Sequence, residues 1–312
     1  MVKRTLYFGN PTYLSLKNKQ LVIKLPEVDK NDTLSSFFKE QNVITIAIED
    51  IGIIVLDNNQ ITITSSVIES LLENNVSIIT CDKKHLPVGL MLPLFGNTTQ
   101  SEKFRYQMEA SKPLKKHLWQ QTIISKINNQ ADVLEIKKNL LAKNMRVWAN
   151  NVKSGDSENK EARAAAYYWK VIFPDIEDFT RDRFGMTPNN LLNYGYAILR
   201  AIVARALVSS GLLPTLGIFH KNKYNAYCLA DDVMEPYRPY VDIMVIDIMN
   251  TFDDYDTMTK EIKTKLLSIP VLDVTINGKR SPLMVAVSLT TSSLQKCYAG
   301  ENRKILYPTV LL

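Results

Sequence analysis

The apolar spacing of this 312-residue chain changes character once, near residue 95. Up to about residue 90 it offers short runs rich in β-branched and aromatic residues: TLYFGN, TYLSLKN, KQLVIKL, VITIAIED, IGIIVLD, QITITS and VSIITCD. Bounded by Asn, Gly, Asp and Lys, such runs read as strands. KNKQ and DNNQ read as hairpin turns, and SSVIESLLENN as one helix among the strands. LPVGLMLPLFGN carries Pro87, Gly89, Pro93 and Gly96 and reads as a linker. From Ser101 onward the spacing is helical. The expected fold class is α+β. A small N-terminal β-rich domain with its linker (residues 1–95) precedes a larger all-α-helical domain (residues 96–312). An apolar fraction of 46% supplies enough material for both cores.

The helical part divides by its punctuation. QSEKFRYQMEASKPLKKHLWQQTIISKINNQADVLE reads as one or two long helices and VLEIKKNLLAKNMRVWANNVKS as another. A helix follows from about Ser154 to Phe173. FPDIEDFTRDRFGMTPNN is loop-like, and the next helix starts at Asn189 or Asn190 and ends at Gly211. Pro236 and Pro239 limit the early regularity of the segment after Leu229. DYDTMTKEIKTKLLSI is amphipathic, VTINGKR contains a glycine turn, and SPLMVAVSLTTSSLQKCYAGENRKI is a last helix. The apolar region Tyr194–Phe219 is interrupted by Arg200, Arg205, Gly211 and Pro214, and so reads as a buried helix and a turn. MVKRTLYFGN has no apolar core of a signal peptide. Cys81, Cys228 and Cys297 form no CxxC pair, so neither a disulfide framework nor a thiolate zinc site is expected, and a reducing cytoplasm fits.

Glu161 is the first residue that asks for a chemical explanation. Ser154, Asp156 and Ser157 offer caps for the helix it opens. In helical register it shares a face with Ala164, Ala165 and Tyr168. A carboxylate above small residues and an aromatic is costly unless something pairs with it. His220 in GIFHKNKYN, and Asp232 and Glu235 in LADDVMEPYRP, are the candidate partners. Two carboxylates three apart share a helix face. Carboxylates with one imidazole and no thiolate suit Mg²⁺ or Mn²⁺ better than zinc, and such an ion activates a hydroxyl and neutralises charge at phosphorus. Plainer accounts stand beside this one. Glu161 is also accounted for as a solvated helix-start residue paired with Lys160 or Arg163, His220 as an ordinary loop histidine, and the acidic cluster as a dipole-complementing first turn.

The net charge is +6 and the pI is near 9.0, which favours a polyanionic partner. Lys221 and Lys223 follow His220, Arg238 lies one turn after Glu235, and Arg200 and Arg205 stud an apolar helix beside Tyr194. Cations interleaved with tyrosines suit DNA that is partly single-stranded. The alternatives are arginines paired with core carboxylates such as Asp232, and tyrosines that serve as core.

SGDSENKEARAAAYYW, NNLLNYGYAILRA, LLPTLGIFHKNKYN and LADDVMEPYRPYVD together resemble the CRISPR-associated integrase family Cas1 of spacer acquisition, in a version similar to type II systems. The resemblance runs over essentially the whole chain, KRTLYFGNPTYLSLKNKQLVI and ITCDKKHLPVGLMLPL included. It implies a dimerising N-terminal β domain and a helical catalytic domain. It implies Glu161, His220 and Glu235 as catalytic metal ligands, with Asp232 as the alternative third ligand. It also implies a homodimer that joins a Cas2 dimer in a heterohexamer. The 3′-hydroxyl of a prespacer, a DNA duplex with single-stranded 3′ ends, would attack a phosphodiester at the border of CRISPR repeat DNA. Lys221, Lys223 and Arg238 would hold phosphates, with Arg200, Arg205 and Tyr194 as further DNA contacts. The competing expectations are a non-catalytic DNA-binding assembly module with structural carboxylates, and a helical enzyme acting on small phosphate esters. Neither P-loop nor GxGxxG is present to suggest a nucleotide cofactor.

Overall fold

The computed structural model describes residues 3–31, 33–176, 179–182 and 184–310. The chain divides into two compact units, Met1–Gly96 and Asn97–Leu312. The first contains strands β1 (Arg4–Phe8), β2 (Tyr13–Lys17), β3 (Gln20–Lys24), β4 (Ile44–Ala47), β5 (Ile51–Leu56), β6 (Thr62–Ile63), β7 (Ser77–Cys81) and β8 (Pro87–Met91), with helices α1 (Pro26–Asp29), α2 (Ser36–Gln41) and α3 (Ser65–Glu73). They form two four-stranded sheets, ordered β1-β5-β7-β8 and β4-β3-β2-β6. β5 lies between parallel neighbours, and Ile51, Ile53, Ile54 and Val55 are all buried, which is why IGIIVLD reads as an unbroken apolar run. α3 buries Val67 and Leu71 in the same core.

KNKQ is a two-residue hairpin: Asn18 and Lys19 both have positive φ, 51° and 59°, matching the right-handed twist of the strands they join. DNNQ is not a hairpin, because β5 and β6 belong to different sheets. The expected linker is also partly structured. PVGLM forms β8, antiparallel to β7, with Pro87 at the strand's first residue, where a missing N–H is tolerated. α1 and α2 lie in a stretch where the sequence suggested no element.

The second unit is built from α4 (Gln100–Glu109), α5 (Lys112–Lys138), α6 (Lys143–Asn150), α7 (Lys160–Ile172), α8 (Asn189–Ser209), α9 (Cys228–Met234), α10 (Arg238–Met249), α11 (Lys260–Leu267) and α12 (Leu283–Tyr298). It is not wholly helical. VTINGKR is a hairpin of β9 (Asp273–Ile276) and β10 (Lys279–Pro282), and β11 (Pro308–Thr309) pairs with the other side of β9. α5 starts on Ser111, whose hydroxyl accepts from Leu114 N–H (3.3 Å), and runs through VLEIKK to a left-handed Asn139. The break expected before VLEIKK lies after it. α8 ends in a Schellman turn: Gly211 (φ +78°) donates to Val208 O and Leu212 donates to Leu207 O. α8 is long and apolar enough to cross a membrane by length and composition, yet 78% of its most apolar window is buried within the unit. It is the core helix the sequence suggested. Glu177, Asp178 and Arg183 of the loop before it lie outside the described residues.

Candidate functional site

α7 is started by a carboxylate. Asp156 closes a short 3₁₀ turn, and its two oxygens accept from the backbone N–H groups of Lys160 and Glu161, each at 2.9 Å. Of the three expected caps this is the one used. α7 then buries Ala164 and Tyr168 and leaves the Glu161 side chain 21% exposed at its first turn.

The partner of Glu161 comes from α5, where no site residue is expected from the sequence. Lys126 Nζ lies 2.7 Å from Glu161 Oε1 and 2.6 Å from Glu235 Oε2, and Lys126 itself is 9% exposed. Glu235 Oε1 accepts from Arg238 Nε at 2.9 Å. Burial alone would push the Glu235 carboxyl up; Arg238 and Lys126 outweigh it and hold the group at about 2. The Lys126 ammonium thus bridges the two carboxylates, with Glu235 Oε2 buried against it.

His220 is held separately. Its Nδ1 contacts Asp232 Oδ1, and Asp232 Oδ2 accepts from Phe219 N–H at 2.9 Å. A carboxylate can only accept, so Nδ1 carries the hydrogen and Nε2 is left with its lone pair. The hydrogen bond to Asp232 raises the imidazole pKa. Trp119, two turns before Lys126 on α5, stacks on Phe219 at 4.6 Å and meets the His220 ring edge-on at 5.5 Å. Gly217 lets the loop close over Asp232. A Cβ there would lie 2.3 Å from His220 O and 2.9 Å from Asp232 Oδ2, so no larger residue fits.

Asp232 and Glu235 therefore meet different side chains in this structure. Asp232 belongs to α9, whereas Glu235 opens a 3₁₀ turn (Glu235–Tyr237) made where Pro236 and Pro239 interrupt the regular helix. Among the described residues, no three His, Cys, Asp or Glu side chains stand together as a ready metal cage. The donor chemistry nevertheless fits a divalent ion. Two carboxylates converge on a positive charge, and the neighbouring imidazole is fixed through Nδ1 on Asp232, which keeps Nε2 available as a ligand atom.

Of the expected DNA contacts, Lys221 and Lys223 are exposed, the latter 4.8 Å above the Tyr224 ring. Arg238 is committed to Glu235 and lies over the Tyr196 ring at 4.6 Å. Arg200 Nε binds Asp231 Oδ1 at 2.7 Å, so its carboxylate partner is Asp231 and not Asp232. Arg205 is 9% exposed and Tyr194 is fully buried, both within α8, and as packed here neither side chain faces solvent.

A second buried network stands behind the site. Asp242 of α10 accepts from Tyr168 (2.8 Å) of α7 and from Tyr196 of α8, tying together the helices that carry Glu161 and Arg238. Asp242 is 1% exposed, and burial pushes its carboxyl from 3.8 to about 6 despite both hydroxyls. Below about pH 4 the group is protonated in both the folded and the unfolded chain. Between about pH 4 and 6 the unfolded chain has lost that proton and the folded chain keeps it, so stability falls as pH rises, by about 3 kcal/mol in total. Urea unfolding from pH 4 to 6.5 is expected to show the wild type losing about that much relative to Asp242→Asn.

Comparisons with known proteins bear on this geometry. A family model described as CRISPR associated protein Cas1 matches residues 6–261. A curated relative from Neisseria meningitidis serogroup C (strain 8013), the CRISPR-associated endonuclease Cas1, is 36% identical over 98% of this chain and 95% of its own length. Among solved structures, a casposase bound to integration product superposes with a TM-score of 0.73 at 21% identity, over 98% of this chain and 92% of that one. A Cas6-RT-Cas1–Cas2 complex superposes with a TM-score of 0.71 at 19% identity, over 97% of this chain and 36% of the longer one. At those identities the structures establish a shared fold.

Proposed function

This chain belongs to the CRISPR-associated Cas1 family, and on that premise we propose that it is a metal-dependent DNA integrase and endonuclease of CRISPR adaptation. The observation that carries the site assignment is the convergence of Glu161 and Glu235 on one positive charge next to an oriented His220. In this reading Glu161, Glu235 and the Nε2 of His220 hold the ion, Mg²⁺ or Mn²⁺. Glu235 is the better third ligand, because it shares one cationic point with Glu161, whereas Asp232 is turned to His220. When bound, the ion supplies neutralising charge at phosphorus and acidifies the attacking hydroxyl. The 3′-oxygen of the prespacer forms a new bond to phosphorus, the bond to the departing 3′-oxygen breaks, and a proton passes to that oxygen. Arg238 braces Glu235, and Lys221 and Lys223 contact flanking phosphates without reading bases.

The proposed assembly is a homodimer formed through the N-terminal unit, flanking a Cas2 dimer in a heterohexamer on double-stranded DNA with single-stranded 3′ ends. The solved relatives, one on an integration product and one in a complex with Cas2, support these kinds of partner. A cytoplasmic setting suits its three free cysteines.

A second reading has one observation behind it. Lys126 neutralises Glu161 and Glu235 without any ion, as structural carboxylates in a DNA-binding assembly module require. Branched DNA mimicking a half-integrated end separates the two. Wild type is expected to join it with Mn²⁺ and not with EDTA, and His220→Ala, checked for folding by melting, is expected to be inactive. Binding without cutting or joining in the wild type would hand the function to the assembly-module reading.

A further inference from the structure

We infer that Lys126 is a displaceable internal cation: in the metal-free chain its ammonium holds the point on which Glu161 and Glu235 converge, and a divalent ion binds there by driving it out. This rests on the metal-site reading above and adds what regulates that site.

Two features of the structure support it. The ammonium makes close contact with both carboxylates, at 2.7 and 2.6 Å, so it lies where an ion bridging them would lie. The two cations described at this cluster also differ in how they are held. Arg238 is clamped between Glu235 and the Tyr196 ring, whereas a lysine leaves by rotating side-chain torsions while α5 stays in place. An ammonium and a divalent ion sharing two carboxylates would repel each other strongly in a half-buried site, so occupancy is exclusive.

The exclusivity has consequences. Without metal, Lys126 screens two neighbouring carboxylates and stabilises the fold. With metal, its ammonium needs a new anion, and the polyanionic DNA backbone at the same site provides one. Metal and DNA should then strengthen each other's binding, reciprocally. The ion is held weakly until substrate arrives, which keeps the nuclease quiet when idle.

The test compares Mn²⁺ affinity, by titration calorimetry, for wild type, Lys126→Met and Glu161→Gln, each confirmed folded by melting. Lys126→Met is expected to bind Mn²⁺ about tenfold more tightly than wild type, because no charge has to be expelled. Its metal-free melting temperature should be lower by roughly 10 °C, and Mn²⁺ should restore most of that difference. Equal or weaker binding by Lys126→Met, with wild-type binding intact, overturns the lysine inference alone. Wild-type binding no stronger than that of Glu161→Gln overturns the metal-site reading beneath it. If Lys126→Met does not fold, acetylation of wild type by a small amine reagent decides instead. Mass spectrometry should find Lys126 protected in EDTA and modified in Mn²⁺; equal modification in both refutes displacement.

Discussion

Glu161→Gln is expected to lower DNA strand transfer by about 10³-fold or more while the chain stays folded and still binds DNA. The substitution keeps the size and one acceptor oxygen of the side chain and removes its charge. Folding should tolerate it. The side chain is partly exposed at the first turn of α7, the helix cap is Asp156, and Lys126 keeps its pairing with Glu235. What disappears is one of the two anionic ligands that make the site attractive to a divalent ion. Initial rates of joining on branched DNA, measured beside DNA affinity, distinguish the outcomes. A rate near wild type would show that no catalytic ion depends on Glu161. Parallel loss of DNA affinity would make the residue part of the DNA-holding surface instead.

The position of Glu161 was legible because a carboxylate over Ala164, Ala165 and Tyr168 is an anomaly on a helix face that must be buried. Lys126 carries the same kind of signal, since it interrupts a buried stripe between Ile123 and Ile127, where an unpaired ammonium is unaffordable. It becomes legible only when the polar residues on the buried face of α5 are weighed along with the helix's length. Asn129 on that stripe likewise donates to Pro236 O (2.7 Å) and Pro308 O (3.0 Å), fixing the 3₁₀ turn that carries Glu235.

Spacing does not reveal which partner a carboxylate meets. Asp232 and Glu235 are three apart, yet Asp232 is held by His220 and Glu235 by Lys126 and Arg238, residues that come from other parts of the chain or from the next turn. DNNQ and β8 depart from expectation for a related reason: local composition marks a bend, and the sheet pairing that gives the bend its meaning is set by distant residues. Arg205 and Tyr194 show a further limit. A cation and a hydroxyl in an apolar helix announce that something is unusual, yet burial inside α8 is as consistent with that signal as contact with DNA.

Asp232→Asn should separate the positioning of His220 from the holding of the ion. Asp232 is fully buried, and its oxygens face only donors: the His220 ring Nδ1–H, the Phe219 N–H at 2.9 Å and the His220 N–H at 3.4 Å. A carboxylate satisfies all of them, whereas an amide must turn its NH₂ toward one. If the NH₂ faces Phe219, two donors collide in a buried pocket. If it faces the ring, Nδ1 must give up its hydrogen, and the proton moves to Nε2, the nitrogen assigned to the ion. The second arrangement costs less, because the imidazole can change tautomer and the backbone N–H cannot be removed. Strand transfer is therefore expected to fall by about 10²–10⁴-fold, as when the orienting carboxylate of a catalytic histidine is neutralised. Mn²⁺ affinity should fall by only about 10–100-fold, the usual cost of losing a partner behind a ligand. Nitrogen chemical shifts of His220 should show the hydrogen transferred from Nδ1 to Nε2. If Asp232 were instead a ligand, the variant would lose Mn²⁺ as completely as Glu161→Gln, with the His220 tautomer unchanged.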